Sequence, residues 1–439
     1  MPPVAPEDLD RLALDRRQDE LLTALLRSIL PHNPFQARKF AEIGLQSEDI
    51  RTPADLVRLP FTTKAELLAD QAANPPYGTN LTYPVERYNR LHQTSGTSGR
   101  PLRWLDTPAS WAWMLDCWAA YFRIADIRPD DVLFFPFSFG PFLGFWTAFE
   151  SAAWHGALCL PGGGMSSTAR LRFLLDNRAT VVLCTPTYAL HLAEVADKEG
   201  IKLAGSTVRK VIVAGEPGGS IAGTRQRIET AWGARIFDHN GMTEIGPAGI
   251  ECPANPGGLH LLESAYIVEV IDSATGKAVP PGTAGELVLT NLGRTGSPLL
   301  RYRTGDLVCV DPQPCPCGRS LVRLDGGIRG RADDMIFLRG NNFHPHALQS
   351  ILHRFPEVAE YRVEVDRSGA LPVLRIEVEP APAFPAPAVA ARVDQAIRDE
   401  LLFRAEVRAV PPGSLPRAEL KAQRLVRKNP AGTASEGPT

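Results

Sequence analysis

The chain has 439 residues, of which 44% are hydrophobic and 22% charged, and its formal net charge is -2. This length accommodates two or more domains, and the balance is typical of a soluble globular protein. Because the chain has no basic surplus, we expect neither nucleic acid nor a membrane as its main partner. Residues 1–10 carry no positive-then-apolar run, which predicts a cytoplasmic protein without a secretory signal.

The first two thirds of the chain predict an α/β fold. A helix start is predicted at Thr63, a capping residue with Glu66 three positions later. From about 130 to 240, short apolar strands alternate with helices, which favours a parallel sheet. The uncharged segment Val132–Phe149 contains two prolines and two glycines, so it predicts a buried strand, a turn and an apolar helix rather than a membrane span.

The later segments predict two further units. Residues 258–312 show strand–turn–strand patterns, which indicate an antiparallel subdomain. Residues 333–427 read as a small α+β domain. The predicted fold class is therefore α/β, with a large N-terminal domain of parallel α/β subdomains plus an antiparallel β subdomain, and a small mobile α+β C-terminal domain. The expected boundaries are 1–330 and 331–428, followed by a disordered tail at 429–439.

The stretch "HQTSGTSGRP", from His92 to Pro101, has the composition of an anion-binding loop. Glycine lets backbone N–H groups approach phosphate oxygens closely, while hydroxyl groups and a guanidinium add further donors. The residues concerned are Thr94, Ser95, Gly96, Thr97, Ser98, Gly99 and Arg100. The chain lacks the P-loop pattern, and a Ser/Thr/Gly run taken alone is more often a flexible linker than a phosphate-binding loop.

This loop resembles the phosphate-binding motif of the adenylate-forming superfamily, and other stretches resemble that superfamily's motifs in the same order. They are "VAGEPGG" (213–219), "NGMTE" (240–244), "GELVLT" (285–290), "YRTGD" (302–306), "GRADDMI" (330–336) and "GSLPRAELKAQR" (413–424). Within the superfamily, "ECPANPGGLHLLE", "PLLRYRTGDL", "CPCGR" and "GRADDMIFLRGNNFHP" are most similar to phenylacetate-CoA ligases. The resemblance implies that ATP activates a carboxylic acid, often aryl or arylacetic, as an acyl-adenylate that is transferred to coenzyme A.

The resemblance also implies roles for individual residues. Glu244 would bind Mg²⁺, Asp306 the ribose hydroxyls and Arg331 the ribose or α-phosphate, while Lys421 would stabilise charge between carboxylate and α-phosphate. Asp333 would be the hinge between the two domains. The further nucleotide-binding residues would be Gly215, Glu216, Pro217, His239, Asn240, Gly241, Met242 and Thr243. The acid pocket would be formed by Phe137, Phe139, Gly140, Ala214, Gly215 and Gly241.

Three positions depart from the family pattern. Arg100 replaces a frequent lysine, which keeps the positive charge. Asn240 stands where an aromatic residue commonly stacks on adenine, which puts ATP affinity in doubt. Leu420 stands where relatives often have glycine before the lysine, so the loop is expected to be stiffer.

Three cysteines and one histidine form a candidate metal site: Cys252, His260, Cys315 and Cys317. Sulfur and imidazole ligands suit tetrahedral zinc, but the C-x₇-H and C-x-C spacing is looser than that of zinc fingers. Free thiols in a proline-rich turn are the alternative. Because some phenylacetate-ligase-like enzymes carry these four residues as a structural zinc site, we expect bound zinc. The remaining cysteines read as core residues.

Two other functions remain compatible with the sequence. The enzyme could pass the acyl group to a carrier-protein thiol or an amine instead of coenzyme A. Alternatively, the chain could be a nucleotide- or acyl-adenylate-binding regulator with little turnover. Neither the acid nor the oligomeric state follows from the sequence, and a homodimer is one option.

Overall fold

The computed structural model describes residues 4–94, 100–332, 336–338, 341–343, 345–366, 373–401, 405–417 and 424–428. Within these ranges the α-helices are α1 (Arg11–Ile29), α2 (Pro34–Glu42), α3 (Lys64–Ala73), α4 (Pro108–Ile124), α5 (Leu143–Trp154), α6 (Ser167–Asp176), α7 (Pro186–Lys198), α8 (Ala222–Trp232), α9 (Pro345–His353) and α10 (Ala386–Leu401). No helix in these ranges combines the length and apolar character needed to cross a bilayer.

The strands lie in five sheets of the described chain. They are β1 (Arg90–Gln93), β2 (Arg103–Asp106), β3 (Val132–Phe135), β4 (Leu158–Pro161), β5 (Val181–Cys184), β6 (Lys210–Val213), β7 (Arg235–Met242), β8 (Gly246–Glu251), β9 (Gly258–Leu261), β10 (Tyr266–Ile271), β11 (Ala284–Asn291), β12 (Tyr302–Cys309), β13 (Arg323–Asp325), β14 (Gly330–Arg331), β15 (Ile336–Leu338), β16 (Asn341–Phe343), β17 (Val358–Asp366), β18 (Val373–Pro380), β19 (Glu406–Ala409) and β20 (Leu425–Lys428).

The largest sheet has eight strands in the order β13-β9-β8-β7-β6-β5-β3-β4. Strands β4, β3, β5, β6 and β7 pair in parallel, whereas β7, β8, β9 and β13 pair antiparallel. The central strand β5 is buried along its whole length, as expected for a strand covered on both faces. The predicted parallel strands are therefore confirmed, and they lie in one sheet that continues into antiparallel strands.

The strand, turn and helix predicted for Val132–Phe149 are confirmed as β3, a turn and α5. The predicted helix start is also confirmed: Thr63 Oγ1 accepts from the Glu66 amide, and Glu66 accepts from the Thr63 amide. Both are local features, which is why they can be read from neighbouring residues.

The second large sheet is antiparallel, with the order β10-β11-β12-β14. The turn joining β10 to β11 includes Gly276 at φ +68° and Gly282 at φ +85°, conformations that favour glycine. The antiparallel region predicted between 258 and 312 is confirmed.

The C-terminal unit, defined as the described residues from 345 to 428, has a sheet of its own with the order β19-β18-β17-β20. Helices α9 and α10 pack on it around buried side chains such as Leu352, Val393 and Ile376. This core is separate from the apolar clusters that cover the eight-stranded sheet. The predicted fold class, with its small α+β unit, is confirmed.

Candidate active site

The hairpin of β1 and β2 carries the serine- and glycine-rich loop. Thr94, directly after β1, donates its amide to the Leu102 carbonyl at 3.0 Å and accepts from the Leu102 amide through Oγ1 at 3.0 Å. Two bonds therefore close the base of the loop. Arg100 is exposed, while Ser95, Gly96, Thr97, Ser98 and Gly99 lie outside the described residues.

The loop after β6 holds the second group of predicted nucleotide-binding residues. Gly215, which follows Ala214, has φ +92°, a conformation that favours glycine. Glu216 accepts the Thr187 amide at 2.8 Å, so the first turn of α7 fixes this carboxylate. Pro217 and two further glycines complete the loop, and Gly219 lies so close to Asp238 that a Cβ would come within 2.4 Å of its carboxyl carbon.

Strand β7 brings His239, Asn240, Gly241 and Met242 to the edge where parallel pairing gives way to antiparallel pairing. The His239 ring contacts the rings of Trp118 and Tyr121, and desolvation lowers its pKa to about 3. The Asn240 carbonyl accepts from the Tyr121 hydroxyl at 2.9 Å. Asn240 Oδ1 is directed towards β8, because a Cβ on Gly249 would lie 2.8 Å from it.

Glu244 lies in a buried position after Thr243, with only 4% of its surface exposed. Its Oε1 accepts from the Tyr302 hydroxyl at 2.8 Å and lies 3.9 Å from Lys64 Nζ. Burial and the neighbouring carboxylate raise the pKa of the Tyr302 phenol well above its ordinary value, so this phenol acts as a donor. A carboxylate held from two sides in this way suits a hard cation such as Mg²⁺.

Asp306 and Arg331 are paired residues on β12 and β14. Arg331 Nη1 donates to Asp306 Oδ1 at 3.0 Å and to the Thr304 carbonyl at 2.8 Å. The guanidinium passes so close to Gly305 that a Cβ there would lie 2.7 Å from Nη2. The predicted ribose ligand and its predicted cationic neighbour are therefore brought together.

Aromatic side chains cluster on the loop after β3 and on α5. Phe137 stacks on Phe145 with ring centroids 4.1 Å apart, and Phe139 meets Phe149 edge-on at 5.2 Å. The Gly140 carbonyl accepts from Trp146 Nε1 at 2.9 Å. The neighbouring Pro141 carbonyl accepts the Gln93 amide at 2.9 Å, which ties this aromatic loop to the hairpin of β1 and β2.

The ligand atoms of Cys252, His260, Cys315 and Cys317 all lie within 4.8 Å of one another. The Cys252 and Cys315 sulfurs are 3.5 Å apart, and Cys317 Sγ is 3.4 Å from His260 Nε2. His260 Nδ1 lies 3.1 Å from the Leu321 carbonyl, an arrangement that leaves Nε2 for a metal. The four residues that the sequence singled out are thus assembled, and their donor set fits tetrahedral zinc.

Comparisons with known proteins agree with this geometry. Residues 91–293 match the family model described as AMP-binding enzyme, and residues 340–428 match that of the AMP-binding enzyme C-terminal domain. The phenylacetate-coenzyme A ligase of Thermus thermophilus is 31% identical over 94% of this chain and 96% of its own length. The chain belongs to the phenylacetate-CoA ligase family of adenylate-forming enzymes. It is an AMP-forming acid–CoA ligase.

Solved relatives of this ligase exist in more than one state. A 2-hydroxyisobutyryl-CoA ligase in the postadenylation state, in complex with 2-HIB-AMP, superposes with a TM-score of 0.92 at 29% identity, covering 98% of this chain and 94% of that one. The same enzyme with 2-HIB-AMP and CoA in the thioesterification state gives 0.73 at 30% identity, covering 97% and 94%. The present arrangement of the ligase therefore superposes better on that relative's postadenylation-state structure than on its thioesterification-state structure.

Two predicted residues of the ligase, Lys421 and Asp333, lie outside the described residues. The chain on either side of Lys421 is firmly held. Glu379 accepts from the Gly413 and Leu415 amides and from both terminal nitrogens of Arg417. On the other side, Arg424 pairs with both carboxylate oxygens of Glu360 at 2.5 and 3.0 Å.

The ligase site also contains residues to which the sequence gave no role. Tyr302 and Lys64 hold Glu244, and Arg294 forms a fully buried ion pair with Asp106 while donating to the Thr243 carbonyl at 2.7 Å. Tyr302 stands at the start of the "YRTGD" motif, which could have drawn attention to it. Nothing in the local sequence around Arg294 indicates its partners, since Asp106 is 188 residues away.

Proposed function

We propose that this ligase acts on an aryl or arylacetic acid. The observation that carries the proposal is the aromatic loop beside the Thr94 hairpin, where Phe137 contacts Phe145, Phe139 contacts Phe149 and the Gly140 carbonyl accepts from Trp146. Aromatic walls favour a flat apolar group through offset and edge-to-face contacts. The Thermus relative, whose name specifies phenylacetate, supports the same substrate class.

For the nucleotide, we propose that the loop of residues 94–100 binds the leaving phosphates and that Glu216 and Asn240 flank the base. Asp306 would accept hydrogen bonds from the ribose hydroxyls, and Arg331 would place its positive charge beside the sugar or the α-phosphate. Glu244 would hold Mg²⁺, which when bound neutralises phosphate charge. Asn240 is not a stacking residue, so less of the affinity for ATP would come from the adenine.

In the first proposed step, a carboxylate oxygen of the acid attacks the α-phosphorus of ATP. A new P–O bond forms, the bond to the β-phosphate oxygen breaks, and pyrophosphate leaves. Lys421 would pair with the carboxylate and the α-phosphate as charge moves between them. On either side of Lys421, Arg417 and Arg424 are fixed by ion pairs with Glu379 and Glu360, which supports this placement.

In the second step, the thiol of CoA attacks the acyl carbon of the adenylate. A C–S bond forms, the bond from acyl carbon to AMP oxygen breaks, the thiol proton passes to water, and AMP leaves. We propose a domain boundary near residue 330 and a hinge at Asp333 for the change between the two steps, in line with the two states of the solved relative.

We also propose that Cys252, His260, Cys315 and Cys317 bind one structural zinc ion. Four protein ligands leave no open coordination position, so the ion would stabilise the fold rather than catalyse. It would tie the turn at 315–317 to strand β9. That the protein is cytoplasmic and that it forms a homodimer are still predictions from the sequence.

The test is ATP–pyrophosphate exchange with Mg²⁺ across phenylacetate, benzoate, 2-hydroxyisobutyrate and hexanoate, each with and without CoA. We expect exchange with the aryl acids and AMP release that depends on CoA. Exchange with 2-hydroxyisobutyrate alone would contradict the aryl assignment. AMP release driven by a carrier protein or an amine, but not by CoA, would favour the other acceptors, and no exchange at all would favour a binding regulator.

A matched pair of variants tests the pocket. Phe139→Ala should raise KM for the aryl acid by about 10–200-fold while leaving KM for ATP unchanged, because the lost ring would contact the acid and not the nucleotide. Phe173→Ala removes a comparable ring that packs on Phe134 from α6, away from the aromatic loop. Equal effects of both variants on KM would contradict the proposed pocket.

A further inference from the structure

The N-terminus of α3 brings a lysine to the proposed magnesium ligand. Lys64 is the first residue of α3, and its Nζ lies 3.9 Å from Glu244 Oε1. The side chain of Glu244 is 6% exposed, whereas that of Lys64 is 37% exposed. The lysine therefore approaches a buried carboxylate from the more exposed side.

The backbone that precedes this lysine is fixed against the start of β12. The Thr62 amide donates to the Arg301 carbonyl at 3.0 Å, and the Thr62 carbonyl accepts from the Arg303 amide at 2.9 Å. Tyr302, which lies between these two partners, donates its hydroxyl to Glu244 at 2.8 Å. The same strand therefore determines where the helix with the lysine begins and how the carboxylate is oriented.

The side chain of Lys64, by contrast, is held loosely. Within the described ranges its Nζ makes an ion pair at 3.9 Å, a separation too long for a hydrogen bond. The neighbouring lysine shows what a structural role looks like: Lys39 Nζ donates at 2.8, 3.0 and 3.0 Å to oxygens of Phe61, Thr62 and Glu66. An ammonium carries three donors, so Lys39 uses all of its donors inside the fold, and Lys64 keeps its donors for another acceptor.

The chemistry of magnesium indicates what that acceptor is. Mg²⁺ binds oxygen at about 2.0–2.1 Å, so a phosphate oxygen on the same ion would lie within about 4.2 Å of the Glu244 oxygen. Lys64 Nζ lies 3.9 Å from that oxygen and stands on a flexible four-carbon stem, so it can reach such a phosphate without movement of the backbone. An ammonium and Mg²⁺ beside one carboxylate repel each other unless a further anion lies between them.

We propose that Lys64 is a further catalytic residue of adenylation, which binds the pyrophosphate that leaves the α-phosphorus. When the bond from the α-phosphorus to the bridging oxygen breaks, the electron pair stays on that oxygen. Lys64 stabilises the added charge through charge-assisted hydrogen bonds and keeps its own proton. The inference rests on the proposed function. Because Lys64 precedes residues 91–293, which match the AMP-binding family model, this cation comes from the N-terminal part of the chain.

The decisive variant is Lys64→Met, which removes the charge but keeps a similar length and helix propensity. KM for pyrophosphate in the exchange reaction should rise by about tenfold to a hundredfold, the effect of losing one charge-assisted contact. Binding of magnesium pyrophosphate, followed by calorimetry, should weaken by the same factor. Lys64→Arg keeps the charge and should retain most of that affinity. Thioester formation from supplied acyl-adenylate and CoA should be unchanged in both variants, since no pyrophosphate takes part.

Two comparisons separate this role from a structural one. Lys202→Met, which alters an exposed lysine after α7, should leave KM for pyrophosphate at the wild-type value. The magnesium requirement gives the second comparison. Because Lys64 and Mg²⁺ compete for Glu244, Lys64→Met should not raise the Mg²⁺ concentration for half-maximal exchange, whereas a change that only loosens Glu244 should raise it.

Each outcome decides between explanations, provided that Lys64→Met melts at the wild-type temperature. An unchanged KM for pyrophosphate would overturn the inference, as would a raised magnesium requirement with unchanged pyrophosphate binding or an equal loss of both half-reactions. If the wild-type enzyme shows no acid-dependent exchange, the proposed function fails first. Calorimetry with magnesium pyrophosphate needs no acid, so it still tests Lys64: binding that Lys64→Met weakens supports the contact, and equal binding contradicts it.

Discussion

The Tyr302 hydroxyl donates to Glu244 Oε1 at 2.8 Å, and both side chains are buried. Tyr302 opens β12, whereas Glu244 follows β7, so the bond joins the antiparallel sheet to the large mixed sheet. Lys64, at the N-terminus of α3, approaches the same carboxylate oxygen at 3.9 Å. The carboxylate that we propose as the magnesium ligand is therefore oriented by two other parts of the fold.

Removing the Tyr302 hydroxyl should weaken the metal site while leaving the fold intact. Tyr302→Phe keeps the buried ring but deletes a hydrogen bond to a charged group, a loss of about 1.5–3 kcal/mol. We expect the Mg²⁺ concentration for half-maximal pyrophosphate exchange to rise about tenfold or more, since about 1.4 kcal/mol corresponds to tenfold. A magnesium titration of the exchange rate measures this.

Tyr188→Phe is the matched control. Its hydroxyl is bonded to Arg170 on α6, away from Glu244. It should lower the melting temperature without changing the magnesium requirement. If both variants shift the magnesium curve equally, Tyr302 does not position the metal ligand.

The proposed role of Lys421 gives a second prediction. Lys421→Ala should reduce acid-dependent exchange by about a hundredfold or more, because it removes the charge that stabilises the transferring group. ATP binding, followed by calorimetry, should persist, since the other nucleotide contacts remain. Lys277→Ala, which alters an exposed lysine in the turn after β10, should change neither quantity. An enzyme that keeps full exchange without Lys421 would contradict the role.

The sequence predicts those parts of the fold that depend on neighbouring residues. Continuous apolar runs give the parallel strands, and the capping pair of Thr63 and Glu66 gives the start of α3. The metal-site prediction succeeds geometrically for Cys252 and Cys315, whose sulfurs meet at 3.5 Å. In that case the prediction rested on the sulfur and imidazole ligands that zinc prefers and on a family resemblance, so it could bring together residues that are far apart in the chain.

The sequence does not predict contacts between distant residues of ordinary type. Arg294 and Asp106 are 188 positions apart, and each alone reads as a surface charge. Their burial follows from how β2 and the chain after β11 meet, which no local pattern encodes. Gly223 similarly reads as a poor helix former, and its close approach to the His353 carbonyl is visible only in the structure.

Zinc content is the third prediction. Purified protein should contain about one zinc per chain, as measured by plasma mass spectrometry, and a strong chelator should lower its melting temperature. Cys315→Ser should lose the metal, because only three ligands remain and the pKa of a serine hydroxyl is too high for a comparable ligand. The adenylation rate of Cys315→Ser should fall only as far as the loss of stability lowers the amount of folded enzyme.

Cys117→Ala serves as the comparison for zinc. Cys117 is buried in α4, outside the four-residue cluster. The variant should lose some stability through a small cavity while retaining the full metal content. The proposal of a structural metal would be wrong if removing zinc from the wild-type protein with a chelator left its melting temperature unchanged.

The last prediction concerns pH and His239. Desolvation lowers the pKa of this imidazole from 6.5 to about 3, so the ring stays neutral in the folded protein. Below about pH 6.5 the unfolded chain takes up a proton that the folded chain does not. The free energy of unfolding should therefore fall as the pH drops from about 6.5 towards 3, by about 1.4 kcal/mol per pH unit from this group.

His239→Phe tests the prediction because a phenyl ring suits the contacts with Trp118 and Tyr121 but cannot be protonated. The difference in melting temperature between pH 7.5 and 5.5 should shrink in this variant. The exposed His32, changed to glutamine, should leave that difference as it is in the wild type. If both substitutions change the difference in melting temperature equally, the prediction is wrong: the burial of His239 between β7 and α4 is then not what makes the protein acid-sensitive.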